Sequence, residues 1–435
     1  MAASATAAKA NRVLAMLLAA YILNYLDRQM LGILAAPIKT DLHLSDTQFG
    51  AVGGLAFALL YALFGVPLAY LADRTSRGGV VAASLAVWSA FTALCGTATG
   101  FVQLLAYRLG VGIGEAGGVA PSYALIADYF PPQRRARALG IYSLGVPLGL
   151  GLGTLLGAYL ATWLSWRAAF FVMGAIGLGL APFFRMVVKD RPRPAANPVR
   201  PSAAFAIVAR RPAFWLMAGA ASCSSLAGYG LAVWTPSILM RSYGLDLLHT
   251  GWFVASLLLI GGTSGVLLGG YLGDRFGRED RRAYAWAPAA AWAITAPLFA
   301  AGLLTNDLRF AWLLLLLPNA LNILWLGPTV TAVQHLVPAP MRATASGCFL
   351  LINNLIGLGV GPLLIGVLSD AFKARLGEES LRYAAVSVLG FYALATVLML
   401  AAAPRLAKHW VVDGPAPPDP CRSGTVRPLD RFDGR

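Results

Sequence analysis

The fold class predicted for this chain is an all-α integral membrane protein, with twelve transmembrane helices in two six-helix halves. Three observations predict it. Of 435 residues, 58% are hydrophobic and only 12% are Asp, Glu, Lys or Arg, against about 45–50% and about 25% in ordinary soluble domains. Apolar stretches of about 20 residues, long enough to cross a bilayer core as helices, recur along the whole chain. Two loop sequences also recur at nearly one spacing. Barrel strands would be about 10 residues long with strict alternation, and the sequence does not alternate.

In chain order the predicted spans are 13–36, 50–72, 79–99, 101–126, 138–163 and 168–188, then 213–240, 250–273, 285–304, 310–333, 344–368 and 382–403. Residues 1–12 lack a cleavable signal pattern, and the first apolar run is too long for a signal h-region, so it is retained as span one. Ser45-Asp46-Thr47-Gln48 has capping-box spacing and starts span two. Pro67, Pro121, Pro147 and Pro362 are expected to kink their helices. Residues 1–188 form the first half and 213–403 the second. Between them, 189–212 is too polar to cross (Arg191-Pro192-Arg193-Pro194) and reads as a cytoplasmic linker. Residues 404–435 read as a disordered cytoplasmic tail, Pro-rich from Gly414.

The net charge of +15 suggests nucleic acid until its distribution is mapped. Of the 34 Lys and Arg, 25 fall in the termini and in loops on one face, and 7 on the other. Positive residues concentrate on the cytoplasmic side. Both termini are therefore expected inside, in a bacterial-type inner membrane, and the charge is topological, with anionic lipids as its natural neighbours. Cys95, Cys223, Cys348 and Cys421 are scattered, as are the four histidines, so neither a disulfide framework nor a metal site is expected. Gly112-Ile-Gly114-Glu115-Ala-Gly117 fits G-x-G-x-x-G but lies mid-span, without the preceding strand a dinucleotide site needs; here the glycines let helices approach closely. No Walker A sequence and no Ser/His/Asp or HExxH arrangement is present, so the chain reads as neither an ATP-driven pump nor an enzyme, and no cofactor is expected.

After span two the chain reads Ala69-Tyr-Leu-Ala-Asp73-Arg74-Thr-Ser76-Arg77; after span eight, Gly270-Tyr-Leu-Gly-Asp274-Arg275-Phe-Gly-Arg278, at an offset of 201 residues. Pro131-Pro-Gln-Arg-Arg135-Ala-Arg137 after span four matches Pro338-Ala-Pro-Met-Arg342-Ala-Thr after span ten, at an offset of 207 residues. Two matches at nearly one offset indicate two halves of like orientation.

These motifs resemble the major facilitator superfamily over about 390 residues. The repeated loop resembles its cytoplasmic gate motif, with Ala69 and Ser76 replacing two glycines in the first copy. Asn24-Tyr25-Leu26-Asp27-Arg28, Arg108-Leu-Gly-Val-Gly-Ile-Gly-Glu115-Ala, Ile126-Ala-Asp128 and Trp325-Leu-Gly-Pro328 resemble the spinster branch, which includes exporters of sphingolipids and lysophospholipids. The anion:cation symporter branch shares the Asn-Tyr-x-Asp-Arg start. The resemblance implies a monomeric secondary transporter rocking two halves around a midplane site. Asp73, Arg74, Arg77, Asp128, Arg137, Asp274, Arg275 and Arg278 would then form the cytoplasmic gate, with Asp73 and Asp274 capping facing helix N-termini in the opposite half.

Asp27, Arg28, Arg108 and Glu115 lie well inside spans, where a charge costs at least about 2.5–3.5 kcal/mol. Asp27 is about 21 Å along span one at 1.5 Å per residue. Arg108 and Glu115 are two turns apart on one face of span four. A carboxyl away from water holds its proton more tightly, and beside a guanidinium less tightly. Asp27 and Glu115 are thus candidates for proton coupling, with Arg28 or Arg108 approaching and leaving; a fixed Arg108–Glu115 packing pair is the alternative. The matching C-terminal spans carry hydrogen-bonding groups instead. The candidate cavity set is Asn24, Arg28, Arg108, Tyr229, Trp234, Asn322, Trp325 and Asn353. An Arg-bearing first half facing an apolar second half suits an amphipathic anion or zwitterion such as a lysophospholipid, the alternative cargo being a small organic anion.

Overall fold

The computed structural model describes residues 2–190, 201–276, 280–338 and 341–411. Every regular element among them is helical. The polar tail from 412 onward, the centre of the linker and Arg278 lie outside the described residues.

The chain opens with α1 (Ala2–Ile33) and a short α2 (Ala35–Leu42), which stops at His43 with φ 51°. Ser45 then accepts the Gln48 N–H while Gln48 bonds back to the Ser45 N–H, the capping box expected from the sequence. It starts α3 (Asp46–Gly50), which continues through a π-turn, Ala51–Leu55, into α4 (Ala56–Arg74) as one 29-residue run. Next come α5 (Arg77–Cys95), capped by Ser76, then α6 (Phe101–Ala116), α7 (Val119–Tyr129), α8 (Pro132–Ser143), α9 (Gly145–Trp163) and α10 (Trp166–Val187). The stretch read as a polar linker contains a helix, α11 (Pro201–Ala209).

The second set is α12 (Pro212–Tyr243), α13 (Leu247–Ser256), a π-turn Leu257–Gly262, α14 (Thr263–Phe276), α15 (Ala283–Leu304), α16 (Leu308–Ile323), α17 (Leu326–Gln334), α18 (Arg342–Leu376), α19 (Ser380–Val388) and α20 (Gly390–His409). The repeat seen in the loops is also written into the irregularities. The π-turns begin 206 residues apart, at Ala51 and Leu257. The α6–α7 and α16–α17 breaks precede Pro121 and Pro328, 207 residues apart. A proline cannot donate to the carbonyl four residues back, so each removes the bond that would have carried the helix through. Pro67 and Pro362, in contrast, stay inside single helices.

Nine helical runs among the described residues are long and apolar enough to cross a membrane. Helix α1 and the α6–α7 pair fall outside that set; they carry the interior charges. Within the first set α1 packs on α9, α5 on α6 and α10, and α4 on α6; within the second, α12 packs on α18 and α20, and α15 on α16 and α20. Glycine sets the spacing. A Cβ at Gly153 would stand 2.5 Å from the Leu26 carbonyl oxygen, and one at Gly112 2.5 Å from that of Phe57. That is the role expected of the false dinucleotide motif.

The two sets touch along three lines, which lie toward one end of the bundle. Gln29 of α1 donates to the Ala232 carbonyl of α12 (3.3 Å), where Gly32 also approaches Val233. Gly50 and Gly54 lie on the α18 backbone at Pro362 and Leu358. Gly251 of α13 meets Ala158 of α9. This is the Asp46 end, and the opposite one is the Asp73 end.

Candidate functional site: a buried charge centre between α1, α5 and α6

Helix α1 presents Asn24, Asp27 and Arg28 within little more than one turn, and α6 supplies Arg108 and Glu115. The Arg28 Nε donates to Glu115 Oε2 at 2.7 Å. Glu115 is fully buried and the Arg28 side chain is 12% exposed. The guanidinium carbon lies 4.9 Å from the Tyr25 ring centroid, 4.6 Å from Phe57 and 5.0 Å from Tyr61. Aromatic faces attract a cation, more strongly when water is excluded. The cage therefore holds Arg28 where the lipid-like surroundings would otherwise reject it. Asp27, 3% exposed, accepts from the Thr92 hydroxyl of α5 at 3.2 Å.

Of the two partners left open for Glu115, Arg28 is the one in contact. Arg108 is 2% exposed with its guanidinium 5.5 Å from the Phe57 centroid, and its Nε has no hydrogen-bond partner. It acts on Asp27 and Glu115 through space. The fixed Arg108–Glu115 pair is corrected accordingly: a shared helix face brings two side chains near each other but does not decide which neighbouring helix offers the better partner. Asn24 Oδ1, Asp27 Oδ1, Arg28 Nη2 and Glu115 Oε1 are likewise buried without partners. Asn24 also faces Glu115 and Tyr61 faces Arg28, so the centre is one connected polar group inside an apolar bundle. Sequence reasoning missed Thr92, Tyr25, Phe57 and Tyr61. The one signal for them is that Tyr25 and Tyr61 are polar-tipped rings inside apolar spans, Tyr25 two residues before Asp27.

From the second set, Tyr229 of α12 is among the electrostatic neighbours of Arg28. The hydrogen bonds of the remaining candidates lie within the second set, and Asn322 flanks Gly228 beside Tyr229. Asn353 accepts from Ser225 Oγ at 2.9 Å, pinning α18 to α12, and Asn322 accepts from the Tyr392 hydroxyl at 2.8 Å, pinning α16 to α20. Trp325 is packed between Trp292 and Phe349, at 6.4 and 6.2 Å between ring centroids. Trp234 is fully buried and donates to the Pro362 carbonyl at 2.8 Å, with Phe49 edge-on to its ring. Both tryptophans pack between helices, which buries the large indole face, and Trp234 also finds an acceptor for its N–H there.

At the Asp73 end Arg77 donates twice to Asp73 Oδ1, at 2.9 and 2.6 Å, and once to Asp128 Oδ2 at 2.7 Å. It thereby ties the ends of α4 and α7 to the start of α5. Arg74 lies over the Tyr70 ring at 4.4 Å, and Arg137 is exposed on α8. Asp274 and Arg275 occupy the last turn of α14; their side chains, with all of Arg278, lie outside the described residues. At the Asp46 end an acid caps a helix of the opposite set: Asp370 of α18 accepts the backbone N–H groups of Asp46 and Thr47 at 3.2 and 2.8 Å.

The sequence profile of the Major Facilitator Superfamily matches residues 17–362. The chain is 37% identical to a protein of Mycolicibacterium smegmatis called an MFS-type efflux pump, over 82% of this chain and 84% of that one. It is 29% identical to the probable L-galactonate transporter of Escherichia coli over 59% of each. Its fold matches the crystal structure of a bacterial homologue of the human lysosomal transporter Spinster, in an inward-facing and unoccupied conformation. There the TM-score is 0.84 and the identity 29%, covering 93% of this chain and 99% of that one. The chain belongs to the major facilitator superfamily, as a multi-pass membrane transporter similar to spinster proteins.

Proposed function

We propose that this chain is a proton-coupled secondary transporter of an amphipathic anion or zwitterion such as a lysophospholipid. The observation that carries this reading is the charge centre itself. Two buried carboxyls and two guanidiniums are gathered on α1 and α6, while the facing second set offers apolar surface and hydrogen-bonded Ser and Asn. In this reading the membrane is crossed twelve times, by two six-helix halves at 1–188 and 213–403 that alternate access around the centre. The skew of Lys and Arg places both termini and the Asp73 end in the cytoplasm of a bacterial-type inner membrane. With the two sets meeting at the Asp46 end, the conformation in this reading is closed there and opens toward the cytoplasm. The likeness to an inward-facing Spinster homologue supports that assignment.

Arg28 and Arg108 would hold a phosphate or carboxylate through charge-assisted hydrogen bonds. The apolar wall would take the chain at about 0.8 kcal/mol per buried methylene. Purified protein should bind homologous lysolipids about four-fold more tightly per added methylene until the cavity is full. Affinity indifferent to chain length, with competition by short sugar acids, favours the second reading, a small organic anion symporter. The similarity to a probable L-galactonate transporter is the observation behind that alternative.

The Asp73–Arg77–Asp128 group is assigned to the cytoplasmic gate, with Arg74, Arg137, Asp274, Arg275 and Arg278. Asp73→Asn removes the charge of the acid expected to cap a facing helix when the cytoplasmic side closes, and so should favour the inward-open form. A cysteine placed at Tyr229 should then react faster with an impermeant reagent supplied from the cytoplasmic side. An unchanged rate removes Asp73 from the gate.

A further inference from the structure

Asp46 is an acid at the start of a 29-residue helical run, and the sequence reads it only as part of a capping box. In the structure it is 4% exposed and surrounded by donors from both sets of helices. Arg241, at the end of α12, embraces it with two parallel bonds, Nη1 to Oδ2 at 2.8 Å and Nη2 to Oδ1 at 2.7 Å. Ser369 of α18 donates to Oδ2 at 2.7 Å, and Lys39 of α2 also contacts Oδ1. One residue on, Asp370 receives the backbone N–H groups that open the helix Asp46 begins. The backbones are pressed together here: a Cβ on Gly366 would fall 2.3 Å from the Asp46 carbonyl oxygen.

We propose that Asp46 and Arg241, with Ser369 and Asp370 of α18, form an ionic latch that closes the transport path at the Asp46 end. The partners belong to opposite sets of helices, so separating the sets there must break all of these bonds at once. The bidentate geometry is specific to the closed arrangement. Taking away Arg241 leaves the buried Asp46 with Lys39 as its one charged donor, and taking away Asp46 leaves Arg241 without its bidentate partner; either loss weakens the closed state more than the hydrated open one. The latch thus biases the resting equilibrium toward closure at this end while remaining reversible. It mirrors, on the opposite side, the acid-to-helix contact that the repeated loop motif led one to expect of Asp73.

The test uses full-length protein in liposomes, without substrate and without a pH gradient, so its result is independent of cargo and coupling. All four native cysteines are replaced by serine, and Val233, packed against Gly32 and Gly53 in the seam, is replaced by cysteine. An impermeant maleimide is supplied from the Asp46 side. Asp46→Asn and Arg241→Gln should each raise the labelling rate about ten-fold, the scale of losing hydrogen bonds to a charged group. The double variant should add nothing to Asp46→Asn, which already weakens every bond to that acid. If Asp46→Asn fails to give a monodisperse folded protein, Asp370→Asn and Ser369→Ala are read in the same assay and should raise labelling in the same direction. Folded variants that label at the parental rate overturn the latch, as does a double variant whose effect is the product of the singles.

Discussion

Arg28→Ala is expected to destabilise the protein by about 3–5 kcal/mol, because it strands the buried Glu115 carboxylate without its ion-pair partner. The aromatic cage of Tyr25, Phe57 and Tyr61 loses its cation at the same time. Thermal unfolding in detergent measures the loss. The double variant Arg28→Met with Glu115→Leu removes both charges and keeps volume, so most of the stability should return. Transport should not return: its initial rate is expected to stay at least about 100-fold below wild type, the scale of losing a charge-assisted bond to the cargo. A stable Arg28→Ala protein would show that Glu115 is not held as a buried ion. A double variant that still transports would remove the pair from the mechanism.

Asp27→Asn should abolish accumulation driven by a pH gradient while leaving substrate exchange between the two sides. The substitution keeps size and most hydrogen bonding, including the bond from Thr92, and removes only the titratable proton. In liposomes the variant should equilibrate labelled substrate but never concentrate it. The two outcomes separate coupling from binding, since a residue needed only to bind would depress both. Concentration by Asp27→Asn along an imposed gradient would exclude Asp27 as the coupling group.

The sequence made the architecture legible because the bilayer imposes a length on every crossing helix, and because a duplicated chain leaves matched loops. The π-turns at Ala51 and Leu257 and the breaks before Pro121 and Pro328 follow the same offset, although hydropathy cannot display a π-turn. The four interior charges were legible for the opposite reason: each is costly, so each stands out against its apolar span. Which of them pair was not. Arg28 reaches Glu115 across 87 residues of sequence, and helical spacing on α6 pointed equally well to Arg108. The tryptophans show the same limit, since nothing in Trp234 or Trp325 distinguishes a cavity wall from a packed seam until the facing helix is known. The Asp46–Arg241 contact spans 195 residues. The sequence offers Arg241 only as one basic residue near a span end and Asp46 only as part of a capping box, and a pairing between two such residues becomes visible only when the ends of two distant helices are brought together.

The central claim, that proton movement and cargo movement share one buried centre, is tested most directly by the pH inside sealed proteoliposomes as cargo crosses. Adding a long-chain lysophospholipid to wild-type vesicles, with membrane potential clamped, should shift the lumenal pH at a rate proportional to cargo flux. Asp27→Asn vesicles should pass cargo by exchange with no shift. Cargo flux through the wild-type protein with lumenal pH unchanged would contradict the account.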